Sequence, residues 1–165
     1  VYKRQEPGRS DWAVHIALAE RGVPTAGAVA LPAIGQTLCT HPAPPMPPPA
    51  DGPPRLVVSR SRAPAAAMIV AEATGAQMLS LGSAGAKAMA VVLGHADIYA
   101  HSGGQYEWDN CAPAAVAIAA GFHASRCDGS PLEYNFEDPW LPDLIICRPE
   151  LADEVVAAIR KAIEA

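Results

Sequence analysis

The sequence predicts an α/β fold, more closely an α+β layered sandwich, and three observations indicate this class. From Arg55 onward, short runs rich in β-branched residues alternate with helical stretches, a pattern typical of helices packed on a sheet. Before Arg55, apolar runs are separated by turn residues, as in an antiparallel meander. Half of the 165 residues are apolar, which is enough for a single domain to bury a core.

The N-terminal part is predicted to form three antiparallel strands. Two apolar stretches, Trp12 to Ala19 and Val23 to Leu31, flank the turn-like Glu20-Arg21-Gly22, and a third strand covers Gln36 to Thr40. The segment from His41 to Pro54 contains eight of the seventeen prolines. Because proline is excluded from helix interiors and central strands, we interpret this segment as a surface loop without chemistry.

The C-terminal part is predicted as strands and helices in alternation. Gly75 and Gly94 favour the ends of two helices. A last helix starts at Pro149 and is interpreted as a docking helix, because its apolar residues share one face. The predicted strands are Arg55 to Ser59, Ala76 to Leu79, Asp97 to Ala100, Phe122 to Arg126 and Leu144 to Cys147; the helices are Ala63 to Thr74 and Ser83 to Leu93; the apolar face of the last helix comprises Leu151, Val155, Val156, Ile159 and Ile163.

The composition narrows the class of partner. A net charge of -5 without a basic cluster argues against nucleic acid. No apolar run reaches membrane-spanning length, which argues against a membrane partner. The four cysteines are widely scattered, without a zinc-binding spacing, and are interpreted as buried free thiols in a reducing compartment. We therefore expect a soluble, cytoplasmic protein.

The stretch from Gln105 to Gly121, QYEWDNCAPAAVAIAAG, carries the first candidate site. Glu107 and Asp109 precede a run of small apolar residues, where the first N–H groups of a helix face solvent or ligand. Pro113 is expected in the first helical turn, where its missing N–H has no intrahelical partner. The spacing leaves open a capped buried helix, the commoner case, and a metal or phosphate site.

Two further segments carry polar residues between a strand and a helix. Ser59-Arg60-Ser61-Arg62 has the hydroxyls and guanidiniums to hold a phosphate, and a solvated turn explains it equally well. In Gly82 to Lys87, backbone amides and the lysine could form an anion site, although the P-loop spacing is absent. His15 alternates with apolar neighbours and is interpreted as a sheet histidine with a satisfied ring. No residue is assigned as catalytic.

Together, and in this order, these segments resemble the inositol monophosphatase superfamily of Mg²⁺-dependent phosphatases. Trp108-Asp109-x-x-Ala112 is similar to its WDxAAG signature, and the stretch from Gly82 to Tyr99 is similar to its GS…K…G-x-A-D-x-Y pattern. Val58 to Ser61 and Asp128 to Asn135 are most similar to the CysQ-type branch, the 3'(2'),5'-bisphosphate nucleotidases. The resemblance runs from about Glu6 to the C-terminus.

The resemblance implies a layered α/β/α/β sandwich and a Mg²⁺ cofactor. It implies removal of the 3'-phosphate from 3'-phosphoadenosine 5'-phosphate, or from its sulfated form, in sulfur assimilation. An inositol-1-monophosphatase, a fructose-1,6-bisphosphatase and a non-catalytic nucleotide-binding module are the alternatives, and a homodimer is left open. By the same resemblance Asp109 is a metal ligand, and the substrate contacts are Ser59, Arg60, Ser61, Arg62, Ser83, Lys87 and, by a weaker transfer, Glu107.

The sequence also departs from the family pattern. Pro113 stands at the last position of the WDxAAG signature, and the family's DPxDGT metal-binding motif is absent from the 165 residues. We therefore expect residues 1–5 to be an artefactual leader and residues 6–165 to be the C-terminal portion of one phosphatase domain. Its expected parts are the end of an antiparallel sheet at 6–40, a proline-rich loop at 41–54 and an α/β subdomain at 55–165, with the N-terminal helical part missing. One carboxylate does not hold a pair of Mg²⁺ ions, so we expect the chain to be inactive and to expose apolar faces.

Overall fold

Two sheets enclose a pair of helices in the computed structural model, which describes residues 10–61 and 63–164. One core lies between a three-stranded sheet, two helices and a five-stranded sheet. A second core lies between the other face of the five-stranded sheet and two further helices. This layering confirms the predicted α+β sandwich. The leader expected at 1–5, the start of the resemblance at Glu6, and Arg62 lie outside the described residues.

The first sheet is the predicted meander. Strands β1 (Val14–Glu20), β2 (Val23–Leu31) and β3 (Gln36–Cys39) pair antiparallel in the order β1-β2-β3. The β1–β2 turn is made by Arg21 and Gly22, both at positive φ (52° and 83°), which is the backbone of a tight hairpin turn. The alternation of the sequence places one side of each strand against the core and the other side outward.

The second sheet is mixed rather than wholly parallel. It contains β4 (Arg55–Ser59), β5 (Gln77–Leu81), β6 (Ile98–Tyr106), β7 (His123–Ser125) and β8 (Trp140–Cys147), in the order β5-β4-β6-β8-β7. β4 is parallel to β5 and β6, whereas β8 is antiparallel to β6 and β7. β6 and β8 are longer than predicted, because they pair with each other past a bulge between Ser102 and Gln105.

Four helices complete the layers among the described residues. They are α1 (Ala65–Thr74), α2 (Ala84–Val92), α3 (Glu107–Ala119) and α4 (Ala152–Ile163), the last preceded by a 3₁₀ turn at Pro149–Leu151. α1 and α4 cover one face of the five-stranded sheet, and α2 and α3 cover the other. α4 docks through Val155 and Ile159, but Ile163 is exposed, so the predicted apolar face packs only over its first turns.

The proline-rich segment 41–54 contains no helix or strand, as predicted. One hydrogen bond from a buried arginine and one apolar contact hold it to the domain: Arg148 donates to the carbonyl of Pro47 at 3.0 Å, and Met46 packs against the larger core. Beside it, Arg55 binds the buried carboxylate of Asp97 through Nε (2.9 Å) and Nη2 (3.0 Å). The hydrogen bonds and ion pair with Arg55 hold the pKa of Asp97 below its usual value, despite the opposing effect of burial.

The four cysteines are free thiols, as predicted. Cys111, Cys127 and Cys147 are buried, and Cys39 is half-buried. Burial raises the pKa of Cys111 to about 11 and those of Cys127 and Cys147 to about 12. At neutral pH these three side chains are therefore protonated packing groups, not nucleophiles.

The outer face of the three-stranded sheet is apolar and uncovered. Val14, Ile16 and Leu18 project from β1 with 51%, 74% and 55% of their surface exposed. Three large aliphatic side chains in a row on one strand form an exposed patch of a kind that soluble proteins usually keep small.

Among the described residues, no helix has both the length and the hydrophobicity required of a membrane span.

We expect Gly27→Val to lower the free energy of unfolding by about 1–3 kcal/mol, because this position is where β2 touches α3. A Cβ at Gly27 would lie 3.0 Å from the Cβ of Ala115 and 3.1 Å from the carbonyl oxygen of Ala112. Ala26→Val, on the exposed side of the same strand, is the matched control and should change stability by less than about 0.5 kcal/mol. Chemical denaturation measures both, and an equal loss in the two variants would contradict this packing.

We expect Ile16→Thr combined with Leu18→Thr to reduce self-association of the chain while leaving its unfolding free energy nearly unchanged. Threonine keeps the β-branched shape that suits a strand and removes exposed apolar surface. Light scattering over a concentration series, with binding of a hydrophobic dye, measures the effect. If the double variant aggregates like the wild type, the outer face of the three-stranded sheet does not mediate the self-association.

Candidate functional site

The segment just before β1 joins two of the predicted site segments. The carboxylate of Asp11, only 8% exposed, accepts a hydrogen bond from the backbone N–H of Gly82 at 2.5 Å and forms an ion pair with Arg60. The backbone N–H of Arg60 donates in turn to the carbonyl of Leu81 at 3.1 Å. The ends of β4 and β5 are thereby held side by side around one buried carboxylate.

A glycine is needed at position 82 for this contact to form. A Cβ there would lie 2.7 Å from Oδ2 of Asp11, well inside the contact distance of the two atoms. The N–H groups at the start of a helix attract anions. In the anion-binding turn predicted from Gly82 to Lys87, the Gly82 N–H binds a carboxylate of the chain itself.

Lys87 points back along its own helix instead of out to solvent. Its Nζ donates to the carbonyls of Gly82 (3.0 Å) and Ser83 (3.2 Å) and lies 5.3 Å from the centre of the Tyr99 ring. The side chain is only 5% exposed, and burial lowers its pKa to about 8, against the opposing influence of Asp11 and Asp109. Its contact with substrate stays a prediction.

The remaining hydroxyls of these segments lie nearby. Ser83 is the N-cap of α2, with a positive φ of 20°, and its Oγ accepts weakly from the N–H of Ala86 at 3.5 Å. Ser59 and Ser61 lie with their Oγ atoms 3.1 Å apart, one donating to the other. Their contacts with a substrate, like that of Arg60, stay predictions.

Asp109 is the third residue of α3 and caps it. One carboxylate oxygen accepts from the backbone N–H of Tyr106 at 3.2 Å. The same carboxylate lies close enough to Lys87 to favour the charged form of that lysine. Asp109 therefore both caps α3 and lies near the Gly82–Lys87 turn.

The prediction for Pro113 is wrong. Because α3 begins at Glu107, Pro113 is in its second turn and lies inside the helix. Proline has no N–H, so Pro113 does not donate to the carbonyl of Asp109, four residues earlier. The sequence pattern placed the helix start too late, since the apolar run begins only after the polar residues that form the first turn.

Glu107 is engaged with the segment before β8. Its two carboxylate oxygens accept from the backbone N–H groups of Asn135 (3.0 Å) and Phe136 (2.9 Å). Asn135 has a positive φ of 69°, and its side-chain amide donates to the carbonyl of Ala19 at 3.0 Å. Glu107 thus ties a loop and the β1–β2 hairpin to the start of α3, and its substrate contact stays a prediction.

A buried polar chain behind the site escaped the sequence analysis. The Asn110 amide donates to Gln105 at 3.1 Å, and the Gln105 amide donates to the hydroxyl of Tyr99 at 2.7 Å. All three side chains are buried, and burial raises the pKa of Tyr99. Local sequence gives no sign of this chain beyond two amides within a polar-to-apolar transition.

The described residues do not by themselves make a metal site. Across residues 10–61 and 63–164, no group of three or more His, Cys, Asp and Glu side chains is placed to hold a metal ion. Asp109 is the single candidate carried over from the sequence, and one carboxylate does not satisfy the six-coordinate shell that Mg²⁺ requires.

Comparisons with known proteins agree on one family. A sequence model of the Inositol monophosphatase family matches residues 55–164. A 3'-phosphoadenosine 5'-phosphate phosphatase from Mycobacterium tuberculosis is 52% identical over 167 residues, which cover 94% of this chain and 61% of that protein. The protein of the same name from Mycobacterium leprae is 46% identical over 166 residues, covering 93% and 61%.

A solved structure shows the same fold. CysQ from Bacteroides thetaiotaomicron, a bacterial member of the inositol monophosphatase family, superposes with a TM-score of 0.72 at 24% identity, covering 84% of this chain and 63% of that one. At this level of identity the likeness concerns the fold. The enzymes of the family are metal-dependent phosphatases. The chain spans about three fifths of the length of the relatives that it matches.

We expect Asp11→Ala to lower the free energy of unfolding by about 2 kcal/mol, because the N–H of Gly82 loses an acceptor and the start of α2 loses an anion. Arg60→Ala, which removes a half-exposed partner of the same carboxylate, is the control and should cost less than about 1 kcal/mol. Chemical denaturation at constant pH measures both. A larger loss for Arg60→Ala would show that the ion pair, not the backbone contact, carries the stabilisation.

We expect the stability difference between wild type and Lys87→Met to change with pH in one direction. The pKa of Lys87 falls from 10.5 to about 8 on folding, so the unfolded chain binds the proton more tightly. Stability contributed by this group therefore rises with pH between about 8 and 10.5, by up to about 3 kcal/mol. Denaturation curves across that range measure the difference, and subtracting the variant removes the opposing titration of the cysteines.

Lys87→Arg provides the matched control, since arginine keeps its charge across this range. Its stability relative to Lys87→Met should not rise with pH. A flat difference between wild type and Lys87→Met would mean that the lysine is as well solvated in the folded chain as in the unfolded one.

Proposed function

Because the chain belongs to the inositol monophosphatase family, we propose that it provides the nucleotide-binding side of a phosphatase. The proposed reaction removes the 3'-phosphate from 3'-phosphoadenosine 5'-phosphate. The support for this substrate is the identity of 46–52% with relatives named for it. Cytoplasmic location and sulfur assimilation belong to the same proposal.

One observation of the structure carries the proposal. The three segments singled out in the sequence, from Ser59, from Gly82 and around Asp109, lie far apart in the chain. They lie at the ends of β4 and β5, which the contacts of Asp11 with Gly82 and Arg60 hold together, and at the starts of α2 and α3, which pack against each other. Ligands of layered α/β proteins bind at such strand ends.

The proposed roles follow from the chemistry of each group. The hydroxyls of Ser59, Ser61 and Ser83 supply hydrogen bonds to phosphate oxygens, and Arg60 supplies a planar donor. Lys87 places a positive charge under the turn without occupying it. Asp109 offers a hard oxygen ligand of the kind that Mg²⁺, the proposed cofactor, prefers. Further ligands would have to come from outside the described residues.

We expect the 165-residue chain to bind 3'-phosphoadenosine 5'-phosphate without hydrolysing it. Calorimetry with and without Mg²⁺ measures binding, and release of inorganic phosphate measures turnover. Binding of the adenosine bisphosphate should exceed that of inositol 1-phosphate and fructose 1,6-bisphosphate. Ser83→Ala should weaken it by about tenfold, equivalent to about 1.4 kcal/mol. Asp109→Asn should abolish any strengthening by Mg²⁺.

The contrary outcomes separate the alternatives. Tighter binding of the inositol or fructose phosphate would favour those phosphatases. Tight binding that is independent of Mg²⁺ and of Asp109 would favour a non-catalytic nucleotide-binding module. Robust turnover by the chain alone would show that the metal site is formed by residues other than those assigned here.

A further inference from the structure

His15 lies between the first turns of α2 and α3. Its Nδ1 is 3.0 Å from the carbonyl oxygen of Trp108, in the first turn of α3. A carbonyl oxygen only accepts hydrogen bonds, so Nδ1 carries the proton and donates it. His15 is thus bound to the residue that immediately precedes Asp109.

The opposite edge of the same ring rests on α2. A Cβ at Gly85 would lie 2.8 Å from Cε1 of His15 and still closer to Nε2, so the ring contacts the bare backbone of this glycine. Gly85 is two residues after Ser83 and two before Lys87. The imidazole therefore fills the space between the two helix starts, with Trp108 on one side and Gly85 on the other.

The pairing of β1 with β2 holds the backbone of His15 in place. His15 pairs in register with Val29 of β2, which is fully buried. A ring mounted on a paired strand has little freedom to move relative to the sheet, and its contacts with two helices are fixed by that mounting.

We infer that His15 is a positioning residue that sets the separation between the Ser83–Lys87 turn of α2 and Asp109 of α3. The geometric claim stands without any assumption about activity. Its consequence for a bound phosphate rests on the proposed function, since groups that contact one ligand must be held within about half an ångström of their working positions.

Two substitutions at His15 separate its hydrogen bond from its bulk. His15→Asn keeps an N–H on the atom bonded to Cγ, where Nδ1 stands, and can still donate to Trp108. His15→Leu fills similar space and has no donor. Ile145→Val, in the smaller core on the far side of the five-stranded sheet, is the control, because it lowers stability without touching either helix start.

The readout is the ammonium group of Lys87, which reports on the packing of α2 against α3. The chain has three lysines, Lys3, Lys87 and Lys161, so the ε-carbon resonances of a labelled sample are assignable by single substitutions. Burial holds the pKa of Lys87 at about 8. In His15→Leu we expect it to rise by about one unit or more, because loss of the hydrogen bond to Trp108 lets the start of α3 move away from α2 and lets water reach the ammonium group. In His15→Asn, which keeps the hydrogen bond to Trp108 but loses the contact with Gly85, it should shift less than in His15→Leu, and in Ile145→Val it should stay near the wild-type value.

A double substitution tests the contact with Gly85 directly. Gly85→Ala alone should disturb the junction, because its Cβ collides with the imidazole. In His15→Asn the colliding atoms are gone, so Gly85→Ala should be tolerated far better there, a non-additive result. The cycle also decides the matter if His15→Leu fails to fold.

The inference is overturned by any of three results. One is a folded His15→Leu variant in which the pKa of Lys87 is unchanged. Another is a His15→Asn variant that shifts it as much as leucine does. The third is an additive cycle between His15 and Gly85. None of these measurements depends on nucleotide binding or turnover, so a failure of the proposed function remains distinguishable.

Discussion

The arrangement of the site depends on the contacts that the buried carboxylate of Asp11 makes. It accepts a hydrogen bond from Gly82 at the end of β5 and pairs with Arg60 at the end of β4. Burying a carboxylate costs free energy unless it is paired and hydrogen-bonded, and the N–H of Gly82 and the guanidinium of Arg60 supply these partners. The pairing of β4 with β5 brings the two strand ends side by side, and Asp11 adds a link between the residues that follow them.

The second constraint is the close packing of α3 between the two sheets. Small residues line this interface: the backbone of Gly27 in β2 faces Ala112 and Ala115 at close contact distance. Small residues let a helix and a strand approach, so that burial on both sides compensates for the modest apolar area of each side chain. A helix held on both faces presents its first turn at a fixed place. Asp109 is therefore carried by a rigid element and not by a flexible loop.

The strands that a short local sequence pattern encodes were the ones predicted with the correct bounds. β2 and β4 have the predicted bounds, because alternation and turn residues are both encoded within a few positions. β6 and β8 were predicted too short, since their outer halves are strands only through pairing with each other across some forty residues. The start of α3 was misplaced because its first turn is polar and capped, which the apolar period does not reveal.

The contacts that organise the site were the least predictable. Asp11 meets Arg60 and Gly82 at sequence separations of 49 and 71 residues, and His15 meets Trp108 at a separation of 93. A single sequence contains no record of such pairings. The interpretation of His15 as a sheet histidine is confirmed by its place in β1, but it did not indicate that Nδ1 has its acceptor in the first turn of α3.

The sequence left two interpretations of Asp109, a helix cap and a ligand, and the geometry shows that they do not compete. A carboxylate offers about four lone-pair directions, and the N–H of Tyr106 uses one of them. The cap holds the side chain at the first turn of α3, so that its oxygens have a defined position, as a metal ligand or the partner of a cation requires. A capping aspartate at this position is thus already held in a defined orientation for the ligand role proposed for it.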